Sequence, residues 1–267
     1  MYNNFAKIYD ILMQEVPYEK WSLRISEWIK TYGISRPNVR AQENGSIEER
    51  HSAEKNLVLD LGCGTGTLTE ILAGFSYDMI GIDNSPEMLN IAMEKKDKSG
   101  SSILYLCQNM QEMELYSTVG TIICVCDSLN YLLSHSELKK MFKLVKNYLY
   151  PGGIFIFDFN TVYKYEKVIG DSTIAENHEE CAFIWENFYD SNDKLNEYDL
   201  TFFIKAENGC FERYQETHYQ KGYELEQIRS LLTEAGLDII TAIDDETEKS
   251  PDEKSERVFV VARNTAF

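Results

Sequence analysis

Apolar residues near the start of the chain recur at helical spacing: Phe5, Ile8, Tyr9 and Leu12, then Trp21, Leu23, Ile25, Trp28 and Ile29. Pro17 falls between the two sets, and proline breaks a helix interior, so the spacing predicts two helices within Met1–Lys30. Residues 33–56 hold Gly33, Pro37 and Gly45 among many charges and few apolar side chains, which predicts a long surface connection. From Leu57 the pattern alternates. Apolar runs at Leu57–Leu61, Tyr77–Asp83, Ser102–Gln108, Thr121–Cys126 and Ile154–Phe159 read as strands. Helical periodicity fills Gly66–Ala73, Glu87–Lys96 and Glu137–Tyr148, and Pro151-Gly152-Gly153 reads as a turn into the fifth strand. This alternation argues for an α/β fold, a parallel sheet with helices on both faces.

The period then shortens to two. Residues 181–190, 195–206 and 210–220 are aromatic-rich with alternating polarity, separated by Ser191-Asn192-Asp193 and Asn208-Gly209, and predict three antiparallel strands. A helix resumes at Glu224–Ala235 and stops at Gly236, and Ile239–Ile243 and Val258–Ala262 are the last two strands, joined by an acidic loop around Pro251. Three segments follow: residues 1–160, N-terminal helices and a core; 161–222, an inserted antiparallel β lid; and 223–267, which complete the core sheet. No internal repeat is visible.

Composition narrows the classes. At 267 residues with 43% hydrophobic side chains, the chain suffices for one large domain with an appended lid. No apolar run reaches the ~18 residues of a membrane span, and Met1–Asp10 lacks the apolar stretch of a signal peptide, so the expected compartment is the cytoplasm. Six scattered cysteines without C-x-x-C spacing read as reduced thiols, and with four histidines and no ligand cluster no metal site is expected. Net charge is −18; residues 161–267 carry 24 acids and 11 bases. Such a surface repels phosphate backbones, which disfavours nucleic acid and leaves a neutral or cationic small molecule easier to admit. Oligomeric state is not readable.

The sharpest signal is Val58-Leu59-Asp60-Leu61-Gly62-Cys63-Gly64-Thr65-Gly66: a buried strand, an acid near its end and three glycines at alternate positions opening a helix. Glycines let backbone approach a ligand, and a helix N-terminus offers free N–H groups. A dinucleotide fingerprint would place its third glycine at position 67, which is Thr. Seventeen residues beyond Gly66, Asp83 ends the next strand, where a carboxylate can accept both hydroxyls of a ribose. Together these point to a nucleoside-type cofactor.

Leu59 to Gly66 resembles the first motif of class I S-adenosylmethionine (SAM)-dependent methyltransferases, and residues 1–160 resemble the small-molecule branch that includes aminosugar N-methyltransferases. The resemblance implies a Rossmann-like seven-stranded, mostly parallel sheet whose last strand is antiparallel, which the final hairpin suits. It implies that Asp60 orders the glycine loop and the amino-acid end of SAM, that Gly62, Cys63 and Gly64 pack against the cofactor, and that Asp83, with Asn84 beside it, holds the ribose. Met88 would border the adenine. Asn109-Met110 stands where the family usually has Asp-Met at the adenine amine, and asparagine still offers a carbonyl acceptor. Asp127, Ser128, Asn130 and Tyr131, after the fourth strand, would line the methionine moiety and the acceptor; helix capping is the plainer role for Asp127 or Ser128. No Asn-Pro-Pro-Tyr motif of DNA-adenine or protein-glutamine methyltransferases occurs. Phe5-Ala6-x-x-Tyr9-Asp10, with Tyr18 and Trp21, resembles a segment that folds over the cofactor, Tyr9 approaching the sulfonium, since aromatic faces attract cations.

Methyl transfer can proceed largely by positioning and water exclusion, so a base is not demanded. If one exists, the inserted strands are the place: Glu216 and His218 share one strand face, with Trp185 near the start of the insertion. A lone strand histidine is more often structural, and His218 and Tyr9 stand as candidates only. The expected function is methyl transfer from SAM to a small molecule, with a lean towards an amine. Rival readings are a nicotinamide dehydrogenase, an aminopropyltransferase on the same scaffold, and a non-catalytic SAM-binding or partner-binding domain.

Overall fold

A computed structural model describes residues 5–37 and 53–265. The start of the first expected helix and most of the expected connection, residues 38–52, lie outside the described residues. Helices α1 (Phe5–Leu12) and α2 (Tyr18–Tyr32) flank the Pro17 break. Then come β1 (Leu57–Leu61), α3 (Thr67–Gly74), β2 (Asp78–Asp83), α4 (Pro86–Ser99), β3 (Leu104–Cys107), β4 (Val119–Cys124), α5 (His135–Tyr148) and β5 (Leu149–Asn160). The lid contributes β6 (Thr173–Asn177), β7 (Cys181–Asp190), β8 (Leu195–Lys205) and β9 (Phe211–Lys221). Helix α6 (Leu225–Ala235) and strands β10 (Leu237–Asp244) and β11 (Arg257–Asn264) end the fold.

Seven strands form one sheet in the order β10-β11-β5-β4-β1-β2-β3, with β11 antiparallel to both neighbours. The Rossmann-like α/β fold with an antiparallel last strand is therefore present. Local sequence places its helices. Ser85 caps α4 by accepting the Met88 N–H at 3.2 Å, Pro86 opens it, and Gly100 closes it in the left-handed conformation. Ser134 and Glu137 form a reciprocal capping box at α5. One sheet face buries Phe155, Phe157 and Phe159 against Leu138, Phe142, Ile228 and Leu232 of α5 and α6. The other packs Ile154 and Ile156 against Trp21, Ile25 and Ile29 of α2 and Leu68 and Leu72 of α3.

Two expectations change. The lid is a four-stranded antiparallel sheet, β6-β7-β8-β9. The extra strand, Thr-Ile-Ala-Glu-Asn, is exposed along its whole length, so no alternation of buried positions marks it in the sequence. Pro151-Gly152-Gly153 lies inside β5 rather than before it, in a bulge where the register against β4 shifts. Gly152 takes φ 79° there, and a Cβ on Gly153 would stand 2.8 Å from the Gly120 carbonyl, so both glycines serve the bulge. A third cluster, Ile8 with Cys181, Phe183, Leu200 and Phe202, glues α1 to the inner face of the lid.

Candidate active site

The carboxyl ends of β1 to β5 share one edge of the sheet, and the lid and α1 pack over that edge. After β1 the chain turns through Gly62, Gly64 and Gly66 at φ 80°, 54° and 74°, all left-handed. The N–H groups of Gly62 and Cys63 donate to the Ile82 carbonyl at 2.7 and 2.9 Å, tying the loop to β2. A Cβ on Gly62 would stand 2.8 Å from Ser128 Oγ, whereas the Cβ direction of Gly64 meets only Tyr9 Cε1, at 4.0 Å. Gly64 is therefore open towards the cavity described below.

Two acids stand behind this loop. Asp60 is buried, and its Oδ2 accepts the Thr69 hydroxyl at 2.5 Å. Burial pushes its carboxyl up to about 7, with the Asp83 charge adding and the Thr69 hydrogen bond opposing. Asp83 accepts the Gly64 N–H at 2.9 Å and the Ser85 N–H at 2.8 Å. Burial raises its carboxyl above the usual range against the pull of those N–H groups. On the next loop Asn109 Oδ1 accepts the Gln111 N–H at 2.8 Å, which fixes the turn.

After β4, Cys126 and Asp127 adopt left-handed φ of 65° and 52°, a conformation that is strained for residues bearing a side chain. The surroundings hold it. The Asp127 N–H donates to Asp158 Oδ1 at 3.2 Å, Asp127 Oδ1 pairs with Arg257 at 2.8 Å, and Gln220 Nε2 donates to Asp127 Oδ2 at 2.7 Å. Arg257 also pairs with buried Asp158, and its guanidinium lies 5.2 Å from the centroid of the Trp21 ring. Burial lifts Asp158 to about 6 despite that partner. Asp127 thus spends its carboxylate on a charge network rather than on a helix cap, and the Ser128 hydroxyl donates to the Val125 carbonyl at 3.0 Å.

Helix α1 is latched over the glycine loop. Asp10 Oδ1 accepts the Thr65 hydroxyl at 2.6 Å and the Thr67 hydroxyl at 3.2 Å, while Lys95 Nζ pairs with Asp10 Oδ2 at 2.6 Å. From the lid, His218 stacks on Tyr198 with ring centroids 5.1 Å apart, and the Tyr198 and Tyr131 hydroxyls lie 2.8 Å apart. Glu216 Oε2 lies 3.4 Å from His218 Nε2, both side chains being well buried.

These parts enclose a cavity of about 560 Å³. Its wall includes Tyr9, Gly62, Gly64, Asp83, Asn84, Met88, Asn109, Met110, Asp127, Ser128, Tyr131, Trp185 and His218. A side cavity of about 30 Å³ shares Tyr9, Gly62, Gly64 and Ser128 with it and reaches Tyr18, Asp60 and Cys63. Of the residues expected at the site, Asn130 and Glu216 touch neither cavity. Asn130 is fully buried, its amide donating to the Asn160 and Lys221 carbonyls at 2.9 and 2.7 Å and accepting the Asn160 N–H at 2.9 Å. It clamps β5 to the lid. Glu216 stands behind His218.

Residues 58–153 match the methyltransferase domain family. A provisionally named methyltransferase of Geobacillus sp. (strain WCH70) is 36% identical over 98% of this chain and 99% of its own. A solved S-adenosylmethionine-dependent methyltransferase from Clostridium acetobutylicum superposes with a TM-score of 0.83 at 30% identity, covering 99% of both chains. The chain belongs to the SAM-dependent methyltransferases. The SAM-bound amino pentose methyltransferase CalS10 from Micromonospora echinaspora shares the fold, with a TM-score of 0.70 at 15% identity over 97% of both chains.

The residues present fit SAM. Gly64 leaves the space that a side chain would fill, and the Asp83 carboxylate stands in the cavity wall beside Asn84. No helix of the described residues is long and apolar enough to cross a membrane. Several residues of the methyltransferase's site lie outside the motifs: Asp158, Lys164, Gln220 and Arg257 all stand in the cavity wall or hold residues that do. Asp158 carried a signal. A lone acid inside Ile-Phe-Ile-Phe-Asp-Phe has to find a buried cation, and Arg257 opens the strand that pairs beside it.

Proposed function

We propose that this methyltransferase methylates a small-molecule amine in the cytoplasm, with His218 accepting the proton. One observation carries the reading: a partly open chamber joins the glycine loop to an aromatic lid whose one histidine among the described wall residues is backed by a carboxylate. When bound, SAM supplies a methyl group on a sulfonium. The glycine loop, Asp83 and Asn84 would hold its nucleoside end, Met88 and Asn109 would border the base, and Asp60 and Tyr18 would flank the amino-acid end. Helix α1 and the lid exclude water, which favours displacement by a weakly hydrated nucleophile.

An amine acceptor arrives largely as ammonium, and only its neutral form has a lone pair to donate. His218 takes that proton, and Glu216 Oε2 beside Nε2 stabilises the imidazolium that results. Attack by the neutral amine returns the positive charge to nitrogen, where the Tyr9, Tyr131, Trp185 and Tyr198 rings offer π faces. The acidic surface draws cationic amines and repels nucleic acid. CalS10 is an amino pentose methyltransferase; that likeness carries the fold, and the acceptor is argued from the chamber. The six cysteines, all free, suit a reducing compartment.

The test is release of S-adenosylhomocysteine (SAH) across matched small amines, alcohols and thiols, with His218→Gln alongside. Turnover of amines, reduced ~10²–10⁴-fold in the variant, is expected. Turnover confined to alcohols refutes the amine. SAM binding without turnover of any acceptor favours a non-catalytic binding domain.

A further inference from the structure

Of the two basic side chains on the chamber wall, Arg257 is paired with Asp127 and Asp158, whereas Lys164 is not. Lys164 follows the end of β5, and its side chain stands in the wall with Asn160, Trp185 and Gln220. Its Nζ donates to Asn160 Oδ1 at 3.1 Å. Among the described residues it makes no ion pair, because the neighbouring carboxylates, Asp127 and Asp158, are both engaged by Arg257. Burial lowers its pKa, the Arg257 guanidinium adds to this, and the Asp127, Glu256 and Asp158 carboxylates oppose it. An ammonium has three donors, and here one of them meets a neutral amide oxygen. A cation withdrawn from water without a close counter-ion costs free energy that a ligand can return.

We propose that Lys164 seats an anionic group, a carboxylate or a phosphate ester, on the methyl acceptor. The inference rests on the small-molecule reading and adds to it: the acceptor carries its anion at one end and its nucleophile at the other. Asp127 and Gln220 tie the Lys164 side of the chamber to the β4 loop, whereas Asp83, Asn84 and Met88 belong to the β2 loop and α4. Lys164 therefore serves the acceptor rather than the nucleoside. Because the acceptor pairs its anion with an ammonium, the net charge of −18 repels it less than it would repel an anion alone. The rigid aromatic walls suit an acceptor with an apolar body between the two ends.

Calorimetry on the full-length protein saturated with SAH tests this with paired probes. The pairs are 4-(aminomethyl)benzoate against 4-(aminomethyl)benzamide, and phosphoethanolamine against ethanolamine. Wild type is expected to prefer the anionic member of at least one pair by roughly 10–100-fold, the range of a hydrogen bond to a charged group. The pair that shows the preference tells carboxylate from phosphate. Lys164→Met should bring the anionic probe down to its neutral partner while leaving the neutral probes and SAH unchanged, and Lys164→Arg should keep part of the preference. Equal binding within both pairs in wild type, or the same preference in Lys164→Met, overturns the proposal. If Lys164→Met weakens neutral and anionic probes alike, the lysine is a structural counter-ion and the proposal also falls. Failure of the amine reading looks different: 4-(hydroxymethyl)benzoate is then turned over in place of the amine while the Lys164 preference persists.

Discussion

With the amino-acid end of SAM beside Asp60, as proposed, cofactor binding should depend on pH, and the magnitude follows from the environment of Asp60. In the free enzyme its carboxyl sits at about 7, against an ordinary value of 3.8. The folded protein therefore keeps a proton that the unfolded chain releases near 3.8, and it is favoured by that proton at low pH. The advantage is full below the unfolded value and is lost as pH climbs through about 7. A shift of about three units at ~1.36 kcal/mol each corresponds to ~4 kcal/mol of stability given up by the free enzyme at pH 8. The amino-acid end of SAM carries an ammonium, and an ammonium beside Asp60 favours the ionised carboxylate. Binding then releases the proton. Below pH 7 affinity should fall, approaching tenfold per unit, by roughly fifteenfold between pH 7 and 5.5, and it should level off above pH 8.

Calorimetric titration with SAH at pH 5.5, 7 and 8.5 measures the slope. Asp83 is also raised by burial and titrates with the same sign, so the slope needs assigning. Asp60→Asn does that. The variant should bind SAH more weakly at pH 8.5, show a shallower slope, and melt several degrees higher than wild type at pH 8 without ligand. A wild-type affinity that does not change with pH refutes the coupling. An unchanged slope in Asp60→Asn moves it to Asp83.

Two further outcomes follow from the polar networks. Arg257→Met leaves the buried Asp158 and its neighbour Asp127 without their cation and should cost ~3–5 kcal/mol in urea unfolding at pH 7.5, with part recovered at pH 5.5, where Asp158, already lifted to about 6, takes up a proton; equal losses at both pH values would contradict this. Asp10→Ala opens the latch between α1 and the glycine loop; because the Asp10 side chain is 40% exposed, the stability change should stay below ~1 kcal/mol, while stopped-flow should show SAH leaving several-fold faster.

The parts legible in the sequence are those whose cause is local. β1 spans Leu57–Leu61 in pattern and in structure, and the glycine loop announces its left-handed turns because few residues other than glycine adopt them repeatedly. Capping residues and the 3.6-residue period mark α4, α5 and α6 for the same reason. The bulge at Pro151-Gly152-Gly153 looks like a turn in the sequence because proline and glycine mark turns and bulges alike, and only the partner strand decides between them. β6 gave no signal because it is exposed throughout, and pairing with β7 alone makes it a strand. Asn130 looked like a ligand contact since polar residues after a sheet strand often are, yet its amide is consumed by backbone groups of Asn160 and Lys221.

The acceptor half of the site was less legible because its residues come from stretches far apart in the chain. Asp127 meets Gln220 across 93 positions and Arg257 across 130, and no local pattern records either contact. The same geometry bears on how such a site changes. Residues 57–110 hold most of the expected cofactor contacts, and the Gly62 and Cys63 hydrogen bonds to Ile82 keep that loop independent of the lid. The inner face of β7, β8 and β9 can therefore exchange Trp185, Tyr198 or Tyr214 without moving Gly64 or Asp83. Among the described residues a few bonds fix the height of the lid above the β4 loop: Asn130 to Lys221, Gln220 to Asp127 and Tyr131 to Tyr198, with Tyr165 bracing Gln220 at 2.8 Å. A reacting pair has to sit within a few tenths of an ångström of its productive distance, so these polar ties set the reach between acceptor and methyl donor. Swapping lid side chains should accordingly change which acceptor is used, while Gln220→Leu should slow every acceptor alike and leave SAH affinity near wild type; acceptor-dependent losses in Gln220→Leu would show that the tie selects substrate instead of setting distance.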